Sequence, residues 1–151
     1  MAQTETAYFA GGCFWCITPT FRELPGVTNV VSGYSGGEEE NPSYEDVKYQ
    51  CTGHRETIRI DYDPEQVAFD ALMDIFLNSV DPYDPDGQFI DRGFSYTLAV
   101  YYCSEAQRGA AEAKIRLSSV ETISIIISRT KSASRVGGIR FFNATGSIFW
   151  L

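Results

Sequence analysis

The segment from residue 56 to residue 80 places the strongest constraint on the fold, because its hydrophobic period changes partway along. In ETIRIDYD, which opens this segment, apolar and polar side chains alternate, and this predicts a half-buried strand with Ile58 and Ile60 on one face. From Phe69 to Val80 the apolar residues recur at helical spacing, which predicts an amphipathic helix of about three turns. The chain therefore combines strands with helices.

The rest of the first 117 residues continues this mixture. Further strands are predicted at AYFA, VTNVVSGY and YTLAVYY. Helices are predicted from about Cys13 to Glu23 and at AQRGAAEAKIRL, where Ser104 and Gln107 have the spacing of a capping box. Polar loops are predicted at 35–47 and 81–93. No segment repeats with a period of about 20–50 residues, so we expect one α/β or α+β domain built in layers.

The composition limits the classes of protein that fit. With 151 residues, 44% of them hydrophobic, the chain is long enough to bury the core of one globular domain. A formal net charge of -8 argues against a nucleic-acid binder, which needs a basic face. No apolar run approaches the ~18–20 residues that cross a bilayer. The four cysteines come without a basic-then-apolar leader, so we expect reduced thiols in a cytoplasmic protein that binds neither nucleic acid nor membrane.

The C-terminal segment, residues 118–151, differs from the rest in charge and pattern. Its only acid is Glu121, against four basic residues, so it carries a charge of +3 and leaves -11 on residues 1–117. VETISIIIS favours one more strand, but no hydrophobic period persists beyond it. We therefore predict a domain at 1–117 and a divergent tail at 118–151. The abrupt change indicates either a replaced tail or a shifted reading frame.

Two cysteines flank two aromatic residues in GGCFWC, residues 11–16. The glycine pair allows a tight turn from the preceding strand into a helix, whose unpaired N–H groups would stabilise a thiolate and lower the pKa of Cys13. Cys16 follows one turn later, near enough for the short disulfide of a C-x-x-C pair. Phe14 and Trp15 would form a wall that holds a small apolar group over the sulfur. The alternative is that both cysteines are simply buried, as free cysteines often are.

Other interpretations stay open at this point. The C-x2-C and C-x2-H spacings would suit the four ligands of a structural zinc module, namely Cys13, Cys16, Cys51 and His54. A C-x-x-C pair also occurs in disulfide oxidoreductases. Glu56 opens a strand, where a solvated edge charge is the ordinary expectation for a glutamate.

Five short motifs follow one another between Tyr8 and Leu117: GGCFWC, GYSGG, NPSYEDV, TGHRE and GQFIDRGFSY. In this order they resemble the peptide methionine sulfoxide reductases of the A type. One such motif alone would be weak, whereas five collinear motifs are specific. The resemblance implies a two-layer α/β sandwich (α+β) with a mixed, ferredoxin-like sheet, and a thiol-dependent oxidoreductase that repairs proteins after oxidation.

The resemblance implies a role for each residue that matches a motif. Cys13 corresponds to the nucleophile that attacks the sulfoxide sulfur. Phe14 and Trp15 correspond to the pocket for the S-methyl group, and Asp91 to a substrate-binding carboxylate. The polar groups that hold the sulfoxide oxygen correspond to Tyr44, Glu56 and Tyr96. A carboxylic acid kept neutral by burial, as Glu56 could be, would supply the proton that this oxygen needs to leave.

The resemblance also implies how the reaction is completed. Methionine S-sulfoxide, free or in peptides and proteins, is reduced to methionine, and Cys13 becomes a sulfenic acid. A second thiol then forms a disulfide that thioredoxin or another dithiol reduces, without metal or organic cofactor. Many relatives carry the resolving cysteine near the C-terminus, but this tail has none. We therefore expect Cys16 to be the resolving cysteine, with Cys51 as the second candidate and Cys103 as a structural residue. We also expect a monomeric protein.

Overall fold

The computed structural model describes residues 3–117, 124–130, 140–142 and 148–150. A single turn of 3-10 helix spans Phe94–Tyr96. The helices and strands, numbered in chain order, are β1 (Glu5–Gly11), α1 (Phe14–Arg22), β2 (Val27–Ser35), α2 (Tyr44–Lys48), β3 (Arg55–Tyr62), α3 (Phe69–Ser79), β4 (Gly87–Gln88), β5 (Asp91–Arg92), β6 (Leu98–Tyr102), α4 (Glu105–Leu117), β7 (Ile125–Arg129), β8 (Arg140–Phe142) and β9 (Ile148–Trp150).

Seven of the described strands form one sheet, in the order β7-β6-β1-β3-β2-β8-β9. β1 lies between β3 and β6 and pairs antiparallel with both. β7 pairs in parallel with β6, to which it is connected through α4. A parallel neighbour requires such a crossover connection, which is usually a helix. The sheet is thus mixed and is combined with helices, which confirms the predicted α/β (α+β) class.

Phe9, in β1, shows how one face of the sheet is covered. Its ring stacks on Phe76 of α3 at 4.8 Å between centroids, and it lies 5.8 Å from the ring of Phe21 in α1. All three side chains are fully buried, and burial of each contributes about 1.5–3 kcal/mol. This packing fixes α1 and α3 against the sheet, and it therefore fixes where α1 begins relative to the end of β1.

The predicted strand at ETIRIDYD is present as β3, but it is not half-buried. Only Arg59 is partly exposed among its eight residues, and both its apolar and its polar side chains are otherwise buried. The physical reason is position, since β3 pairs with β1 on one side and β2 on the other. The alternation of residue types correctly identified the strand, whereas its burial depends on pairings with distant segments.

The polar loop predicted at 35–47 is wrong at its end, because it contains the start of α2. A capping box begins this helix: the Asp46 N–H donates to the Ser43 hydroxyl at 3.1 Å, and the Ser43 N–H donates to the Asp46 carboxylate at 3.1 Å. The loop predicted at 81–93 likewise contains the short antiparallel pair β4 and β5. Helices and strands of this length are too short to show a hydrophobic period in the sequence.

The strand predicted at 120–128 corresponds to β7, which is described from residue 125, and residues 118–123 lie outside the described part. Leu98 of β6 pairs with Ile125 of β7, so this part of the predicted tail extends the sheet. The domain boundary at 117 stays a prediction. Within the described residues, no helix has the length and apolar character needed to span a membrane.

Candidate active site

The predicted turn between β1 and α1 depends on Gly12. Its φ of +80° lies in the left-handed region, and a Cβ there would lie 2.7 Å from the Cβ of Gln88. Both the backbone conformation and the space therefore require glycine. The turn leaves Cys13 as the N-cap residue of α1, as the sequence predicts, with a half-buried side chain.

The pKa of Cys13 is raised to about 12, so the prediction of a lowered value is wrong. Burial is the main cause, because it disfavours the charged thiolate. A hydrogen bond with the Cys16 thiol and the negative charge of Glu56 raise it further, whereas the backbone N–H of Trp15 lowers it. The helix N-terminus thus acts in the predicted direction, but desolvation and a neighbouring carboxylate outweigh it.

Glu56 is the buried acid of the site rather than a solvated edge charge. It lies in β3 opposite Tyr34 of β2, with only 2% of its surface exposed. Its Oε2 accepts a hydrogen bond from the Phe14 N–H at 3.0 Å, next to Cys13. Burial raises the pKa of Glu56 to about 7, the Phe14 N–H opposes that rise, and the charge of Asp91 adds to it. A neutral carboxylic acid is therefore substantially populated near neutral pH.

Tyr44 and Tyr96 reach this same cluster from two short elements. Burial is the main cause that raises the pKa of both phenols, to about 12 for Tyr96, and the charge of Glu56 follows it. Cys13 contributes to both shifts, and Asp91 contributes to that of Tyr96. Both phenols are thus electrostatically coupled to Glu56 and Cys13.

Phe14 and Trp15 lie on the first turn of α1 and differ in exposure. Their rings meet edge to face, with centroids 5.4 Å apart and an interplanar angle of 86°. Phe14 is buried, whereas 53% of Trp15 is exposed. Trp15 is thus the aromatic surface that a ligand can cover, and Phe14 supports it from the core.

A cleft of about 180 Å³ opens beside Cys13. Cys16 and Asp91 line it together with Gln88 and the exposed Phe89. The Cys16 N–H donates to the Cys13 carbonyl oxygen at 3.0 Å. Both residues line one cleft and lie one helical turn apart, which is the arrangement from which a C-x-x-C disulfide forms.

The family model for peptide methionine sulfoxide reductase matches residues 5–133. The chain belongs to this family. The match continues past residue 117, where the resemblance noted in the sequence ends, and includes the described strand β7.

Individual relatives agree with this assignment. The chain is 50% identical over 111 residues to the peptide methionine sulfoxide reductase MsrA of Bacillus velezensis, a match that covers 74% of this chain and 63% of that protein. The chain thus spans somewhat less than two thirds of the length of this relative. Methionine sulfoxide reductase A of Corynebacterium diphtheriae superposes with a TM-score of 0.77 at 30% identity, covering 92% of this chain and 70% of that one.

A more distant structure shares the fold alone. Mxr1 from Saccharomyces cerevisiae, solved in complex with Trx2, superposes with a TM-score of 0.58 at 18% identity. The superposition covers 95% of this chain and 82% of that one.

The alternative of a zinc module finds no support in the described residues, among which no group of three or more potential ligands could hold a metal ion. His54 is buried, and both of its ring nitrogens are engaged. Nδ1 accepts from the Gly37 N–H at 3.3 Å, and Nε2 lies 2.9 Å from the Glu39 carbonyl oxygen. His54 thus fastens the loop residues Gly37 and Glu39 to the start of β3.

Two further thiols complete the set of cysteines. Cys51 is exposed just beyond α2, and its thiol lies 3.7 Å from the carbonyl oxygen of Tyr49. Cys103 directly follows β6, where burial of the thiol raises its pKa and a hydrogen bond with Thr130 lowers it. The choice between Cys16 and Cys51 as the resolving thiol stays a prediction, and the position of Cys16 in the same cleft as Cys13 favours Cys16.

Gln88 fastens one wall of the cleft, although the sequence does not single it out. Its side-chain amide accepts from the Asp81 N–H at 2.7 Å and donates to the Asp81 carbonyl oxygen at 2.8 Å, and only 2% of the residue is exposed. The close approach of Gly12 completes the contact. A glutamine in a polar loop carries no periodic pattern, so only the fold identifies it.

Proposed function

We propose that this chain reduces the S epimer of methionine sulfoxide, free or in peptides and proteins, to methionine. The observation that carries the proposal is the position of Glu56, an acid with a pKa of about 7 that is hydrogen-bonded to the residue following Cys13. Membership of the peptide methionine sulfoxide reductase family supports the substrate class. The activity would protect proteins against oxidative stress.

The first step needs a proton at the sulfoxide oxygen, because that oxygen is otherwise a poor leaving group. Neutral Glu56 would donate this proton, and the phenols of Tyr44 and Tyr96 would hold the oxygen by hydrogen bonds. Trp15 would cover the S-methyl group, and Asp91 would bind the substrate at the mouth of the cleft.

The Cys13 sulfur attacks the sulfoxide sulfur as this proton is transferred. This attack forms a bond between the two sulfur atoms, in an intermediate whose substrate sulfur still carries the protonated oxygen. The hydroxyl group then transfers to the Cys13 sulfur as the S–O bond and the bond between the two sulfur atoms break, so that methionine leaves and Cys13 becomes a sulfenic acid. Cys13 thereby loses the two electrons that reduce the sulfoxide. The thiol proton of Cys13 must leave during attack, and Glu56, having given up its own proton, would accept it. This exchange suits a thiol whose pKa is raised, because no free thiolate has to accumulate.

The second step regenerates the thiol. The Cys16 thiol displaces water from the sulfenic acid and forms the Cys13–Cys16 disulfide, and a dithiol then reduces that disulfide by exchange. We propose thioredoxin as this dithiol. The complex of Mxr1 with Trx2, in a protein of the same fold, supports a thioredoxin as partner. The complete cycle consumes one methionine sulfoxide and one dithiol and releases one water molecule. We propose that it takes place in the cytoplasm on a monomer.

A reduction assay with separated epimers tests the proposal. Purified protein would receive methionine S-sulfoxide or R-sulfoxide, with thioredoxin or dithiothreitol as reductant. We expect methionine from the S epimer only, and none from either epimer with Cys13→Ser. Reduction of a disulfide substrate without sulfoxide turnover would instead indicate a general disulfide oxidoreductase. Activity that a chelator abolishes would indicate a metal site.

A further inference from the structure

The two phenols assigned to the sulfoxide oxygen stand on elements too short to hold themselves in place. Tyr44 begins α2, which has five residues, and Tyr96 ends the 3-10 turn, which has three. Helices of this length are marginal unless other contacts fix them. One side chain, that of Gln50, connects the two elements.

Gln50 engages Ser95 through both ends of its amide. Its Oε1 accepts from the Ser95 N–H at 2.9 Å, and its Nε2 donates to the Ser95 hydroxyl at 2.8 Å and to the Lys48 carbonyl oxygen at 3.1 Å. Ser95 is 1% exposed, so these bonds are shielded from water on that side. Gly93 permits the approach, since a Cβ there would lie 2.8 Å from the Gln50 Cδ.

The backbone transmits this contact to both tyrosines. Toward α2, the Gln50 N–H donates to the Val47 carbonyl oxygen at 3.1 Å, which ties the residue to the last turn of the helix that Tyr44 begins. On the other side, Ser95 immediately precedes Tyr96, whose N–H donates to the Gly93 carbonyl oxygen at 3.0 Å.

Arg55 braces the flank of the 3-10 turn that Gln50 does not reach. Its Nε donates to the Thr97 hydroxyl at 2.8 Å, and its guanidinium lies 4.2 Å from the centroid of the Phe94 ring. Because Arg55 belongs to β3, these contacts tie the 3-10 turn to the sheet. Gln50 then connects α2 to the turn and, through the turn, to the sheet.

The backbone of Gln50 forms the C-terminal cap of α2. Its φ of +62° lies in the left-handed region, which the residue after a helix C-cap commonly adopts. The Gln50 N–H donates to the Val47 carbonyl oxygen at 3.1 Å and the Cys51 N–H to the Asp46 carbonyl oxygen at 2.9 Å, which is the bond pair of a Schellman motif. The end of α2 thus fixes the position from which the Gln50 side chain reaches Ser95.

We propose that Gln50 is a positioning residue, which fixes the spacing between the Tyr44 and Tyr96 hydroxyls through its amide pair with Ser95. The inference rests on the proposed function, because the two hydroxyls must converge on one sulfoxide oxygen. A misplacement of about 1 Å in such a constellation can cost on the order of a hundredfold in rate. Gln50 itself touches neither substrate nor the reacting sulfur in this scheme.

The test compares Gln50→Ala with Gln66→Ala. Gln66 is a matched control because it is also exposed and its amide also donates one short hydrogen bond, to Asp63 at 2.7 Å. It lies beyond the far end of β3, about 20 Å from the site by the rise of the strand. We expect kcat for methionine S-sulfoxide to fall by roughly 10–100-fold in Gln50→Ala, with KM changed by less than about threefold. Gln66→Ala should retain the wild-type values.

Gln50→Asn distinguishes the effect of the side-chain amide from that of the backbone conformation. Asparagine tolerates positive φ, but its side chain is one methylene too short to reach Ser95. We expect it to fold as the wild type does and to lose kcat as Gln50→Ala does. Amide hydrogen exchange at Ser95 gives a readout independent of activity, and it should accelerate at least about tenfold in both variants. Wild-type kcat in both Gln50 variants would overturn the positioning role alone. An inactive wild type would overturn the proposed function, and the inference with it.

Discussion

Glu56→Gln should change the pH dependence of stability in a way that follows directly from the buried position of the carboxyl group. The pKa of Glu56 rises from its ordinary 4.5 to about 7 in the folded protein, mainly through burial. At about 1.36 kcal/mol for each pH unit, ionising Glu56 in the folded state costs about 3 kcal/mol. Because Glu56 is only 2% exposed, solvent screening reduces this value little.

The sign of the effect can be worked out from the two pKa values. Below about pH 4.5 the group is neutral in both the folded and the unfolded protein. Between about pH 4.5 and 7 the folded state keeps a proton that the unfolded chain has released, so the wild type loses stability as pH rises through this window. The glutamine side chain of the variant stays neutral throughout, and its oxygen can still accept from the Phe14 N–H. The variant should therefore gain about 3 kcal/mol relative to wild type between about pH 4 and pH 8.

Urea denaturation at a series of pH values, followed by circular dichroism with a thiol reductant present, measures this difference. Glu65→Gln serves as the control, because Glu65 is an exposed glutamate, and its difference from wild type should change little with pH. A Glu56→Gln difference that stays constant across the whole range would refute the assignment of Glu56 as a buried acid with a raised pKa.

The remaining predictions concern the thiols and the proton donor. Cys13→Ser should abolish sulfoxide reduction, and any retained turnover would assign the nucleophile to another thiol. Cys16→Ser should complete one turnover and leave a sulfenic acid that dimedone traps, whereas full recycling by thioredoxin would transfer the resolving role to Cys51. The rate of Cys13 alkylation by iodoacetamide should keep rising with pH above about pH 9, and a plateau near pH 8 would contradict the raised pKa of Cys13. Glu56→Gln should increase this rate, because it removes a charge that raises the pKa of Cys13. Glu56→Gln should also slow the chemical step by roughly 10²–10⁴-fold, and an unchanged rate would exclude Glu56 as the proton donor.

Local pattern was enough to predict most of the longer elements of this fold. The alternation in ETIRIDYD and the helical spacing from Phe69 to Val80 correspond to β3 and α3, because amphipathic periodicity is a property of the segment itself. The turn at Gly12 was also predictable, because so short a connection between β1 and α1 needs a residue with positive φ, which glycine adopts readily. The start of α2 was missed, although Ser43 and Asp46 have the spacing of a capping pair.

The electrostatics of the site could not be predicted from local sequence. Cys13 at a helix N-terminus suggests a lowered pKa, but burial and the Glu56 carboxylate raise it, and Glu56 lies 42 residues from Phe14 along the chain. Glu56 in turn resembles a solvated charge until β1 and β2 enclose its strand. Gln50 has no periodic pattern at all, and its contacts with Ser95 arise only when α2 meets the 3-10 turn. Each of these properties depends on segments that are distant in sequence.

The central claim is that Cys13 takes oxygen from methionine S-sulfoxide and passes the oxidation to a neighbouring thiol. Its most direct measurement uses fully reduced protein, a stoichiometric amount of methionine S-sulfoxide and no added reductant. Free methionine would be quantified by chromatography, and the cysteine-containing peptides would be examined by mass spectrometry after acid quenching. We expect one methionine per chain together with a disulfide between Cys13 and Cys16. Unchanged thiols with no methionine formed, or methionine formed while Cys13 remains reduced, would contradict it.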